Sequence, residues 1–98
     1  MDKWADYCIS AANHDETSIT ELKVHQDTGE LGHGETWLRN KVVSSIEGGK
    51  TFLTIIKNSN GRYDKGANVH IFKLNGKKYL KTVADQTEKD NLGYLPGF

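Results

Sequence analysis

The chain opens on an alternation: Ala5, Tyr7, Ile9 and Ala11 are separated by Asp6, Cys8 and Ser10, the period of two that belongs to a strand with one face buried. The polar cluster from Asn13 to Ser18 breaks it. A second alternation follows, with Thr20, Leu22 and Val24 on one side and Glu21, Lys23 and His25 on a polar other side, so the two runs predict a hairpin. Gln26 to Glu35 contains Gly29, Gly32 and Gly34 and little that is apolar. This stretch reads as a mobile loop without an anchor in the core.

From Thr36 the period turns helical. Leu38, Val42 and Ile46 lie four apart on one stripe, and Arg39, Asn40, Lys41 and Glu47 fall mostly off it. Thr36 is the expected N-cap and Gly48 the expected residue after the last turn, where a left-handed backbone costs glycine little. A helix this short depends on packing against a sheet. The run Thr51 to Ile56 is β-branched and apolar on both faces, as in a central strand covered on both sides. Asn60-Gly61 and Lys65-Gly66 punctuate the return. Val69 to Leu74 and Lys77 to Thr82 then flank Asn75-Gly76, a pair suited to the positive φ angles of a type I′ turn. That register sets Phe72 opposite Tyr79 and Ile71 opposite Leu80, with the aliphatic side meeting the helix.

These elements predict an α+β fold: one short helix packed on a mainly antiparallel sheet of four to five strands, in the order β-β-α-β-β-β. Residues 1–98 form one domain, with 84–98 a non-regular tail laid on it. In that tail Asp85 to Asn91 is polar, and Leu92, Tyr94, Leu95 and Phe98 supply the apolar contacts around Gly93 and Pro96. The tail has a second reading as a peptide that docks on a partner.

Composition narrows the chemistry. Lys plus Arg equals Asp plus Glu at 13 each, so net charge steers the chain toward neither nucleic acid nor membrane. Residues 1–50 nevertheless carry five basic and nine acidic groups, a net of −4, and residues 51–98 carry eight and four, a net of +4. Cys8 is the single cysteine, which excludes an intrachain disulfide framework and a cysteine-only zinc site and suits a reducing compartment. No apolar run is long enough to span a bilayer, and the opening Met1-Asp2-Lys3-Trp4 lacks the apolar core of a signal peptide. The expectation is a cytoplasmic protein.

Candidate chemistry is sparse. His14, His25 and His33 with Asp15, Asp27 and Glu30 offer metal-ligand types, but at spacings that match no compact motif, so solvated or locally bonded histidines are the simpler reading. Ser44 and Ser45 have no histidine close in sequence, and Cys8 reads as a packed strand residue. Gly48-Gly49-Lys50-Thr51 echoes the end of a phosphate-binding loop, but it follows a helix instead of preceding one. Between Lys57 and Lys81 there are seven basic groups against the single acid Asp64, interleaved with Tyr63, Phe72 and Tyr79. Lys57, Arg62, Tyr63, Lys73, Lys78, Tyr79 and Lys81 are therefore the candidate binding surface. Basic groups with stacking aromatics are the recipe for single-stranded nucleic acid; the competing reading is that lysines at a hairpin tip keep it soluble and guard its edge.

Ala5-Asp6-Tyr7-Cys8-Ile9, Trp37, Val42-Val43, Ile46-Glu47-Gly48-Gly49-Lys50-Thr51-Phe52, Val69-His70-Ile71 and the closing Asp90-Asn91-Leu92-Gly93-Tyr94-Leu95-Pro96 together resemble a family of small bacterial proteins known as a domain of unknown function. The resemblance covers nearly the whole chain and implies a stand-alone bacterial domain. It carries no activity, cofactor or catalytic residue. The expected function is a small binding or accessory module acting through a protein partner, without cofactor, as a monomer or weak homodimer. Single-strand nucleic-acid binding through 57–81 and a small hydrolase or metal-dependent enzyme are the alternatives.

Overall fold

A computed structural model describes residues 4–15, 18–82, 92 and 95–98. The elements run β1 (Tyr7–His14), β2 (Ile19–Gln26), β3 (Glu35–Leu38), α1 (Arg39–Glu47), β4 (Phe52–Lys57), β5 (Tyr63–Asn68), β6 (His70–Leu74) and β7 (Lys77–Lys81). One five-stranded sheet has the order β3-β2-β1-β4-β5, and β6-β7 forms a separate two-stranded sheet. All pairs are antiparallel except β1 with β4. The α+β class, the single helix among the described residues and the mainly antiparallel pairing agree with the sequence reading. The order differs, because β3 and β5 are strands where a helix cap and a return loop were expected.

The parallel pairing of β1 and β4 is fixed at its start by a reciprocal clasp. Thr51 donates its backbone N–H to Asp6 Oδ2 at 2.9 Å and its hydroxyl to the same oxygen at 3.1 Å, and Asp6 N–H returns a bond to Thr51 Oγ1 at 3.0 Å. The stretch that echoes a phosphate loop thus ends in a register pin. β1, lying between β2 and β4, is buried on both faces, with Cys8 and Ser10 as well as Ile9 and Ala12 inside, so its expected polar face does not exist. A bulge between Ile9 and Ala11 adjusts its register against β2.

On one face, Ile9, Leu22, Val24, Trp37 and Phe52 meet Val42 and Val43 of α1, Leu80 of β7, and Leu92 and Leu95. Full burial of such side chains contributes about 1.5–3 kcal/mol each. The Asn75-Gly76 turn has φ values of 52° and 78°, and the hairpin pairs Phe72 with Tyr79 and Ile71 with Leu80, as its turn chemistry predicts. The carbonyl of Pro96 accepts a bond from Ala12 N–H at 3.0 Å, and Phe98 N–H donates to Asn13 Oδ1 at 2.8 Å. The rest of the expected tail contacts, including Tyr94 and Asp85 to Asn91, lie outside the described residues.

The helix boundaries shift from the expectation. Leu38, with φ −70° and ψ 150°, takes the cap position without a side-chain capping bond, while Thr36 lies in β3 and pairs with Lys23 of β2. Burying Trp37 against Tyr7 and Phe52 outweighs a threonine cap, which is worth only about 1 kcal/mol. Leu38 consequently leaves the helical stripe and is 65% exposed, and Val43 joins Val42 as a buried helix residue. The left-handed residue after the helix is Gly49 at φ 99°, one beyond the expected Gly48 at φ −80°.

The second face is the larger correction. Ala5, Cys8, Leu53 and Ile55 form a smaller cluster capped by Trp4, Leu31 and Tyr63. His25, expected on a polar face, is 7% exposed, and the loop expected to be mobile carries Asp27 at 1% exposure. The described halves of opposite charge interleave through β1 and β4. No helix of the described residues is long and apolar enough to cross a membrane.

Candidate binding site

The residues expected to form one basic surface fall into two groups. Lys57 pairs with Tyr63 at the β4–β5 turn beside Arg62, on the large sheet. Lys73, Lys78, Tyr79 and Lys81 belong to the separate β6-β7 sheet. Tyr63 packs into the second-face cluster, its ring centroid 5.8 Å from that of His25. Tyr79 is 7% exposed and Lys81 fully buried, its ammonium 5.7 Å and 6.0 Å from the ring centroids of Phe72 and Tyr79. Tyr79 therefore has no open ring face, and the two groups do not make a continuous stacking platform.

What the hairpin does form is a groove against α1 of about 510 Å³, within the range of ligand sites. Arg39, Val43 and Glu47 follow one another at i, i+4 and i+8 and therefore share a helix stripe. Asn40 and Ser44 run beside them, Lys77 and Lys78 face them from the hairpin, and Val43 and Tyr79 supply the apolar part of the lining. Two contacts clasp the walls. The Arg39 guanidinium donates to the Lys78 carbonyl, and Lys78 Nζ lies 2.5 Å from Glu47 Oε2. The Lys78 hydrogen bond, helped by the charges of Lys78 and Lys73, holds the Glu47 carboxyl below its ordinary pKa against the opposing effect of desolvation. Sequence reasoning found Lys78 and Tyr79 but missed Arg39, Ser44 and Lys77 as wall residues. The four-residue spacing of Arg39, Val43 and Glu47 was the available signal.

The second face holds the other polar constellation. Asp27 Oδ2 accepts from Trp4 N–H at 2.8 Å and Ala5 N–H at 3.4 Å, Oδ1 accepts from Gly29 N–H at 3.0 Å, and the Cys8 sulfur lies 3.8 Å from Oδ2. Burial alone would raise the Asp27 pKa; these bonds, led by Gly29, outweigh it and hold the carboxyl below the usual carboxylate range. The Cys8 thiol is pushed up to about 12, by burial first and then by the Asp27 charge and hydrogen bond, which leaves it protonated and inert at neutral pH. His25 Nε2 lies 2.7 Å from Ser10 Oγ and Nδ1 2.9 Å from the Gly32 carbonyl. A carbonyl only accepts, so Nδ1 carries a proton and, in the neutral ring, Nε2 accepts from the Ser10 hydroxyl. This serine–histidine contact was invisible in the sequence spacing. With both side chains 7% exposed, its work is to pin the 27–34 loop to the sheet.

Of the six candidate metal ligands, His25 and Asp27 are engaged in this way, and the described residues contain no group of three or more histidine, cysteine or acidic side chains able to hold an ion. No curated protein and no solved structure matches the chain. A family model matches residues 7–96, and the chain belongs to that family, described as Protein of unknown function (DUF3892).

Proposed function

We propose that this domain is a non-enzymatic binding module that seats an acidic segment of a partner protein in the groove between α1 and the β6-β7 hairpin. The observation that carries the reading is the Lys78–Glu47 pair on the groove wall: the site already receives a carboxylate, beside Arg39 and the exposed Lys77. A partner carboxylate of similar geometry competes with Glu47 for the same ammonium, with Lys77 as a second cation beside it. The binding unit is the domain whose described residues wall this groove, working without a cofactor in a reducing cytoplasm that suits its one protonated thiol. Single-stranded nucleic acid is a poorer fit, since Tyr79 and Lys81 are buried and Tyr63 serves the other sheet face. Hydrolysis is a poorer fit too, because the Ser10–His25 pair is sealed.

Titration with an Asp- and Glu-rich peptide, followed through backbone amide shifts, tests the proposal. Shifts are expected at Arg39, Ser44, Lys77 and Lys78, weakening with added salt, and the double change Lys77→Glu and Lys78→Glu abolishes them. Shifts elsewhere, or equal shifts with a Lys-rich peptide, overturn it. Salt-sensitive binding of a single-stranded oligonucleotide in preference to the peptide establishes the alternative instead.

A further inference from the structure

A crevice of about 380 Å³, the size of a small-ligand site, opens at the seam between the two apolar clusters, where the chain ahead of β1, the end of α1 and the step from β5 to β6 come together. It shares no lining residue with the α1–hairpin groove. Buried Phe52 and Val69 belong to its lining, and Trp4, Ile46 and Ile71 line it while staying only partly buried, so part of their apolar surface is wet. The N–H groups of Trp4 and Ala5 are spent on Asp27, the N–H and hydroxyl of Thr51 on Asp6, and the N–H of Val69 on the Phe52 carbonyl at 2.9 Å. Polar recognition is left to the side chains of Lys50, Asn68 and His70, all exposed at the rim.

No acidic residue is among the described lining, whereas Lys50 brings a fixed positive charge and Asn68 and His70 each bring an N–H donor. Wet apolar walls gain by being covered with hydrocarbon, and an ammonium with no acid in the same lining gains by receiving a carboxylate. We propose that this crevice binds a small amphipathic carboxylate of the medium-chain fatty-acid class, its hydrocarbon against Trp4, Ile46 and Ile71 and its carboxylate at Lys50. Charge complementarity decides the head group, because the rim offers donors and no negative charge to hold an ammonium. The walls decide the tail: an indole and two branched aliphatic side chains present a surface without a directed polar group, which a flexible chain can follow.

The test titrates the unaltered full chain, isotope-labelled at its isoleucine methyls and backbone amides, with three probes. Octanoate is the ligand; octylamine reverses the charge on the same hydrocarbon, and acetate keeps the charge without the chain. Octanoate is expected to give saturable shifts of the Ile46 and Ile71 methyls, the Trp4 indole N–H and the Lys50 and His70 amides in the millimolar range, with magnetisation transfer from its methylenes to both isoleucines. Octylamine and acetate should give no saturable shift there. Lys50→Ala, at an exposed position whose backbone bond to Ser45 it leaves in place, should weaken octanoate binding about fivefold, the weight of one partly exposed ion pair, with the amide spectrum otherwise unchanged. A response to octylamine or acetate equal to that to octanoate, shifts centred on the α1–hairpin groove, indifference to Lys50→Ala, or no saturable response to octanoate up to tens of millimolar overturns the proposal.

Discussion

The two faces of the five-stranded sheet are held by different physics. The face toward α1 and the hairpin is covered by aliphatic and aromatic side chains from elements with their own periodicity, and its cohesion is mostly apolar burial. The opposite face has a small apolar cluster under irregular chain, and what fastens that cover is polar: one carboxylate bonded to backbone N–H groups of the segment before β1 and of its own loop, and one imidazole bridging Ser10 to Gly32. A loop too poor in apolar residues to anchor itself hydrophobically is anchored by satisfying buried donors. Little apolar content therefore does not imply mobility.

Apolar burial holding the first face means that truncation there costs more than truncation on the polar face. Phe52, 2% exposed and stacked against Tyr7, supports both Tyr7 and Trp37 from β4. Phe52→Ala should cost about 3–5 kcal/mol, the largest single loss expected. Chemical denaturation with an unchanged slope reads it, and a loss below that of Asp27→Ala contradicts the ranking.

Asp27→Ala comes next. It leaves buried N–H donors of Ala5 and its neighbours without an acceptor, at about 1–3 kcal/mol. The same residue gives this face a pH dependence. Its folded pKa lies below the ordinary carboxylate value, so its contribution is complete above about pH 4 and is lost as pH falls through the lower folded value. Stability measured from pH 7 down to pH 3 should fall less steeply for Asp27→Asn than for the unaltered chain. Parallel curves would assign acid sensitivity to other carboxylates.

The same contrast explains which parts of the structure were legible in the sequence. The β6-β7 hairpin was readable to the residue pair because its turn type is written in two adjacent residues and its register follows from them. The helix was readable from its period, although its first turn was not. Trp37 is drawn into β3 by Tyr7 and Phe52, 30 and 15 positions away, and no local pattern announces that. Asp27 was equally opaque, since its partners Trp4 and Ala5 lie 23 and 22 positions upstream. The basic cluster of 57–81 was a true count with a misleading continuity: strand order distributes it over two sheets. The groove was half legible, through Lys78 and Tyr79, because its other wall is a helix known only as a stripe.

The smallest effect expected is also the most specific to the polar face. Ser10→Ala removes the hydroxyl that His25 Nε2 faces at 2.7 Å but leaves the Nδ1 bond to Gly32, so the imidazole keeps one of its two anchors. The cost should be about 1 kcal/mol, with the loss of one hydrogen bond partly relieved by water reaching the ring. Its location matters more than its size. Amide exchange should accelerate through residues 28–34 and stay unchanged in α1 and the β6-β7 hairpin, because local opening of the cover does not require the apolar face to separate. Acceleration spread evenly over both faces would mean that the sheet unfolds as one unit, and that the Ser10–His25–Gly32 chain is not what holds the loop down.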